Sequence, residues 1–190
     1  MNEVQLIRNQ LALERAHASA VANACATALQ ADGGTAAGSD SLAPFRRACV
    51  DYLACVLAWF EERDQRLADL LQARFGATDP ARRPLEEVLA RAGRSREALA
   101  RLEAACADHP ASRFRDRQQR WREFAEYFNG VWSTRRDALD TLLAANSRPT
   151  DWRTLGGIDA DSILEERRRY ALVVAQAPPD GPLGAAADRP

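Results

Sequence analysis

The chain has 190 residues with 26 basic and 27 acidic side chains, a formal net charge of −1, so no global field draws in nucleic acid or acidic lipid. All 26 cations are arginine, as a GC-rich genome favours, and this removes Schiff-base, Walker-type and kinase-type lysine chemistry. The length suits a single domain with a sizeable core.

The opening stretch MNEVQLIRNQLALERAH intersperses charges among apolar residues, unlike a secretion signal. Val4, Ile7, Leu11, Ala18, Val21, Cys25 and Ala28 recur at helical spacing, which predicts an amphipathic helix from about Asn2 to Gln30. The segment ADGGTAAGSDSLAP then reads as an exposed loop. A second helix follows Pro44, with Phe45, Cys49, Leu53, Val56, Leu57, Phe60, Leu67, Leu71 and Phe75 on one side and a stop at Gly76. Its most apolar run, Ala48 to Phe60, contains Asp51 and is too short to span a bilayer.

Asp79 and Pro80 have the chemistry of a helix start, opening a short helix with Leu85, Val88 and Leu89 that stops near Gly93. Ser95 caps a second short piece bearing Leu99, Leu102 and Cys106, which ends at His109-Pro110. A long helix from about Ser112 to Asn146 carries Phe114, Trp121, Phe124, Phe128, Trp132, Leu139, Leu142 and Leu143, with Gly130 its weak point. Ser162 and Glu165 form a capping box for a last helix with Ile163, Tyr170 and Val174 inside. Beyond Ala177 the segment PPDGPLGAAADRP has too little to bury, so residues 177–190 are expected to be a disordered tail on a single domain of residues 1–176. The expected fold is all-α: an up-down bundle of four main helices, with two short crossover helices between the second and third.

Polar residues on the inner arcs narrow the chemistry. Glu14 sits in the middle of the first apolar stripe and His17 on its edge, with Gln10 one turn before. In the second helix Asp64 lies between Phe60 and Leu67, with Arg63 and Arg74 at the margin and Glu62 facing away. The long third helix turns Arg117 and Arg135 inward and Glu123 and Glu126 outward. The last helix offers Tyr170 centrally and Arg167 and Glu166 at its edges. A buried charge needs a partner. In one reading Glu14 and Asp64 pair with Arg135, Arg117 or Arg167, while His17 and Tyr170 complete the hydrogen bonds. In the other, Glu14, His17, Asp64 and Glu166 converge on a metal ion, because Glu-x-x-His on one helix face is half of the motif of carboxylate-bridged iron bundles. A second Glu-x-x-His is absent.

The weaker signals are read as surface or core. His109 belongs to a connecting loop. The arginines of RFRDRQQRWR (Arg113, Arg115, Arg117, Arg120, Arg122) suit a solvated face better than a phosphate track. Cys25, Cys49, Cys55 and Cys106 show no C-x-x-C pair and fall in helical patterns, as free buried thiols do. Trp152 either joins a partner surface or tucks against the bundle end.

The stretches LERAH with Glu14 and His17, WFEERDQRLADLL around Asp64, and DADSILEER make the chain resemble the hemerythrin-like or ferritin-like bundle group, at the level of helix order from Asn2 to Ala175. Hemerythrins hold two irons with histidines spread over four helices, whereas only His17 lies on a long helix here. The resemblance therefore implies a relative that keeps the bundle for binding or assembly. The expectation is a non-catalytic cytoplasmic bundle with no cofactor and a buried acid/arginine network. Its partner would be an unidentified protein or a second copy, with neither nucleic acid nor membrane expected. The alternative is a carboxylate-histidine protein of iron or another divalent metal.

Overall fold

The computed structural model describes residues 3–31, 41–76, 78–80, 82–107, 114–146, 148, 150–152 and 160–183. Among them the regular structure is helical: α1 (Glu3–Ala31), α2 (Ala43–Gln72), α3 (Arg82–Ala107), α4 (Phe114–Asn146) and α5 (Ala160–Gln176). No described helix is long and apolar enough to cross a membrane. Pro44 occupies the first turn of α2, where its missing N–H is not needed. At the other end the N–H groups of Ala73, Arg74 and Phe75 turn back onto the carbonyls of Asp69 and Leu71.

The direction of each helix follows from which ends meet. Gln118 Nε2, early in α4, donates to the Leu29 carbonyl late in α1 at 3.0 Å, and Asn129 Nδ2 donates to Asn23 Oδ1 at 2.9 Å, so α1 and α4 run antiparallel. Glu14 of α1 meets Arg63 late in α2, and Glu61 of α2 meets Arg96 of α3 at 2.8 Å. Ser95 and Tyr127 bring α3 against α4 at 3.4 Å. Each of α1 to α4 thus packs on its sequence neighbour and α4 closes the ring on α1, which is an up-down four-helix bundle. The fifth helix lies outside the ring, against α2 and more lightly against α1.

This assignment changes the expected membership of the bundle. The two short crossover helices are a single helix, α3, running through Gly93 and Ser95, and it supplies the fourth wall that the last helix was expected to form. Gly93 faces open space, so it weakens α3 without breaking it. Ser95 is buried against α4 instead of capping. Packing on α2 and α4 outweighs both local signals. Likewise α5 begins at Ala160, which places Ser162 inside the helix, and Glu165 turns to Arg168 and Arg169 instead of closing a capping box.

The interior divides into two apolar clusters. The larger gathers Val21 and Cys25 of α1, Phe45 and Tyr52 of α2, Leu102 of α3, and Trp121 and Phe128 of α4; each large apolar side chain contributes about 1.5–3 kcal/mol by leaving water. The smaller, at the opposite end, joins Ala68, Leu71, Leu85 and Trp152 with Ile7 and Leu11 packed on it. Trp152 is therefore tucked against the bundle end, under the Arg8 guanidinium at 5.5 Å. The nearby Asp151 receives both Arg74 nitrogens, at 2.7 and 2.6 Å.

Part of the expected tail is also ordered. Ala177 and Gly181 donate to the carbonyls of Val174 and Pro178, and Leu183 is buried in the larger cluster. These turns and the packing of Ala177 and Leu183 return a Pro/Gly-rich segment to the core. Residues 184–190, His109 and Arg113 lie outside the described residues, as does the side chain of Arg135.

Candidate functional site

Between the two apolar clusters the core becomes polar. Along α1, Leu11 belongs to the smaller cluster and Ala18 to the larger, with Glu14 between them; along α2, Arg63 and Asp64 fall between Phe60 and Ala68. Glu14 has no solvent exposure. One of its oxygens accepts from Arg63 Nη1, and the other from Gln10 Nε2 at 3.1 Å. Asp64 is buried beside Arg63 in sequence, as its place on the stripe requires. Among the described residues the cation that meets Glu14 is Arg63, from the margin of α2, and Arg117 is instead buried between Phe114 and Trp121 of the larger cluster.

A second polar centre joins α1, α2 and α5. Glu166 of α5 is also without solvent exposure. Its Oε1 accepts from Tyr52 Oη at 2.7 Å and from His17 Nδ1 at 2.8 Å. The His17 ring stacks on Tyr170, with centroids 3.8 Å apart and planes 9° from parallel, and Tyr52 tilts against Tyr170 at 5.9 Å. The carboxylate holds the ring in its Nδ1–H form and so fixes which nitrogen faces away. Burial pushes the Glu166 carboxyl up, but the His17 and Tyr52 hydrogen bonds outweigh it and the group sits below the ordinary glutamate range. Burial, then the hydrogen bond to Glu166, drives the Tyr52 phenol upward, so it stays a donor. Tyr170 moves the same way through burial and the Glu166 charge.

Of the expected network, Glu14, His17, Asp64 and Tyr170 are on inner faces, but Arg167 is not. Arg167 is exposed, and Glu166, one residue and 100° away, takes the inner place. Sequence reasoning missed Tyr52, although its spacing from Cys49 and Val56 puts it on the α2 stripe. It also left out Arg46, which is buried near the thiols of Cys25 and Cys106.

The candidate metal ligands Glu14, His17, Asp64 and Glu166 are not gathered into one metal-type cluster. Arg63 and Gln10 engage Glu14, His17 and Tyr52 engage Glu166, and no group of three or more His, Cys, Asp or Glu suited to a metal occurs among the described residues. All four cysteines are free thiols. Burial pushes Cys25, Cys55 and Cys106 up, away from the thiolate a nucleophile needs.

Next to the second polar centre a groove of about 480 Å³ opens between α2 and α5, within the range of small-molecule sites, roughly 300–1,000 Å³. Ala43, Ala48 and Leu172 give it an apolar surface, and Arg47, Arg168, Arg169 and Asp51 its charges. Tyr52 belongs to both regions, lining the groove and donating to Glu166. A smaller groove of about 280 Å³ between α3 and α4 is lined by the ion pairs Arg101–Glu97 and Arg120–Glu123 and by Arg94.

Comparison with protein-family models, curated proteins and solved structures finds no match to this chain.

Proposed function

We propose that this protein is a non-catalytic, cytoplasmic helical-bundle binding module whose site is the groove between α2 and α5. The observation that carries the reading is the double role of Tyr52: one side chain both lines the groove and ties α2 to the buried Glu166–His17 pair that fastens α5. The wall of the groove is thereby fixed relative to its floor before a ligand arrives, which lowers the ordering cost of binding. Free thiols support the cytoplasmic assignment. The Tyr52 hydroxyl beside Glu166 is driven away from the phenolate a nucleophile needs, so binding fits the polar centre better than turnover.

The test is a fragment library titrated into the full, isotope-labelled chain and followed by backbone amide shifts. Hits that shift residues 43–52 and 168–176 together support the module and its site. Hits confined to other surfaces, or no hits, overturn it. Concentration-dependent broadening of the same residues without ligand would replace it with self-association.

A further inference from the structure

The charges around the groove narrow its ligand, an inference that rests on the proposed binding role. Three guanidiniums and one carboxylate line it. Glu165 partly neutralises two of the cations: Arg168 reaches it through Nε and Nη2 at 2.8 and 2.9 Å, and Arg169 through Nε at 2.6 Å. Among the described residues Arg47 has no hydrogen bond or ion pair, and Asp51, one turn further along α2, does not bridge to it. Beside these charges Leu172 stands 49% exposed, an apolar side chain on the wall of the same groove. A cation with no partner among the described residues, next to an apolar surface, is complementary to a molecule that is itself anionic at one end and apolar along its body.

We infer that the groove binds a small amphipathic organic anion, its carboxylate or phosphate head on the guanidiniums of Arg47 and Arg169 and its apolar body against Leu172, Ala48 and the Tyr52 ring. A guanidinium fork matches either head group, so the two heads are separate arms of the test.

The experiment titrates the full chain with octanoate, octyl phosphate, octanol, octylammonium and inorganic phosphate, reading amide shifts and calorimetric affinity. Octanoate, octyl phosphate or both should bind at residues 43–52 and 168–176, at least about tenfold more tightly than octanol, as a charge-assisted hydrogen bond implies. Arg47→Ala should weaken that binding by about tenfold, and raised salt should weaken it further. Arg122→Ala, on the solvent face of α4, should leave it unchanged. Octanol or octylammonium binding the groove as tightly as the anions would overturn the charge assignment while leaving the binding module intact. Inorganic phosphate matching octyl phosphate would overturn the apolar half. If none of the five binds while other library fragments occupy the groove, the ligand class is wrong; if nothing occupies the groove, the binding module fails with it.

Discussion

Glu14 and Glu166 are equally removed from solvent but held in opposite ways. Glu14 lies inside the four-helix ring, engaged by the guanidinium of Arg63. Glu166 lies where α5 meets the ring, engaged by an imidazole and a phenol. The first arrangement locks the register of two helices that are already packed along their length. The second fastens a helix that buries only Glu166 and Val173 of its own residues, so a polar contact there replaces apolar area. A buried carboxylate is thus a register pin in one place and a fastener in the other, and the choice of partner separates the two.

Removing one partner at each centre sharpens this contrast. Glu14→Ala strands Arg63 in the interior and should cost about 3–5 kcal/mol, lowering the denaturant midpoint of the whole bundle in chemical unfolding. Truncation after Ala177 removes Leu183 from the larger cluster and should cost about 2 kcal/mol; an unchanged midpoint would show that the returning segment contributes nothing. Tyr52→Phe deletes one of two donors to Glu166 and should cost about 1 kcal/mol, with the loss concentrated in α5 when hydrogen exchange is read helix by helix.

Acid should separate the centres further. A carboxyl held below its ordinary range stabilises the fold above that range and stops doing so as pH falls through its depressed value. Glu166 stabilises the fold fully above 4.5 and loses that contribution as pH falls below it. Asp151, held at about 2 first by the Arg74 hydrogen bonds, against 3.8 ordinarily, contributes across that lower window. Asp151→Asn should therefore flatten stability against pH between 3.8 and about 2 while leaving the higher part of the acid limb to Glu166. The smallest effect runs the other way: Gly93→Ala adds a methyl into open space and should stabilise α3 by about 1 kcal/mol. A destabilisation there would mean that α3 is interrupted at Gly93 after all.

The residues themselves show why some of this was legible in the sequence. Helical spacing revealed the long helices and put Glu14 and Asp64 on inner arcs, because burial follows the 100° step of the helix. It could not name Arg63 as the partner, since a long arginine side chain at the margin of a stripe reaches inward as readily as one at its centre. Nor could it choose between Glu166 and Arg167, neighbours that both carry charge at the edge of one arc. Gly93 and Ser95 have the local chemistry of a stop and a start, and only contacts with distant α2 and α4 decide that the helix continues. The fastening of α5 joins residues of three helices, a convergence that no single periodicity contains.

The most direct measurement is hydrogen–deuterium exchange of Glu166→Ala beside the unaltered chain at neutral pH. Residues 160–176 should lose protection selectively while α1 to α4 keep theirs, because the substitution removes the acceptor of both His17 and Tyr52. Unchanged protection of α5, or an equal loss across all five helices, would contradict the claim that this carboxylate fastens α5 to the bundle.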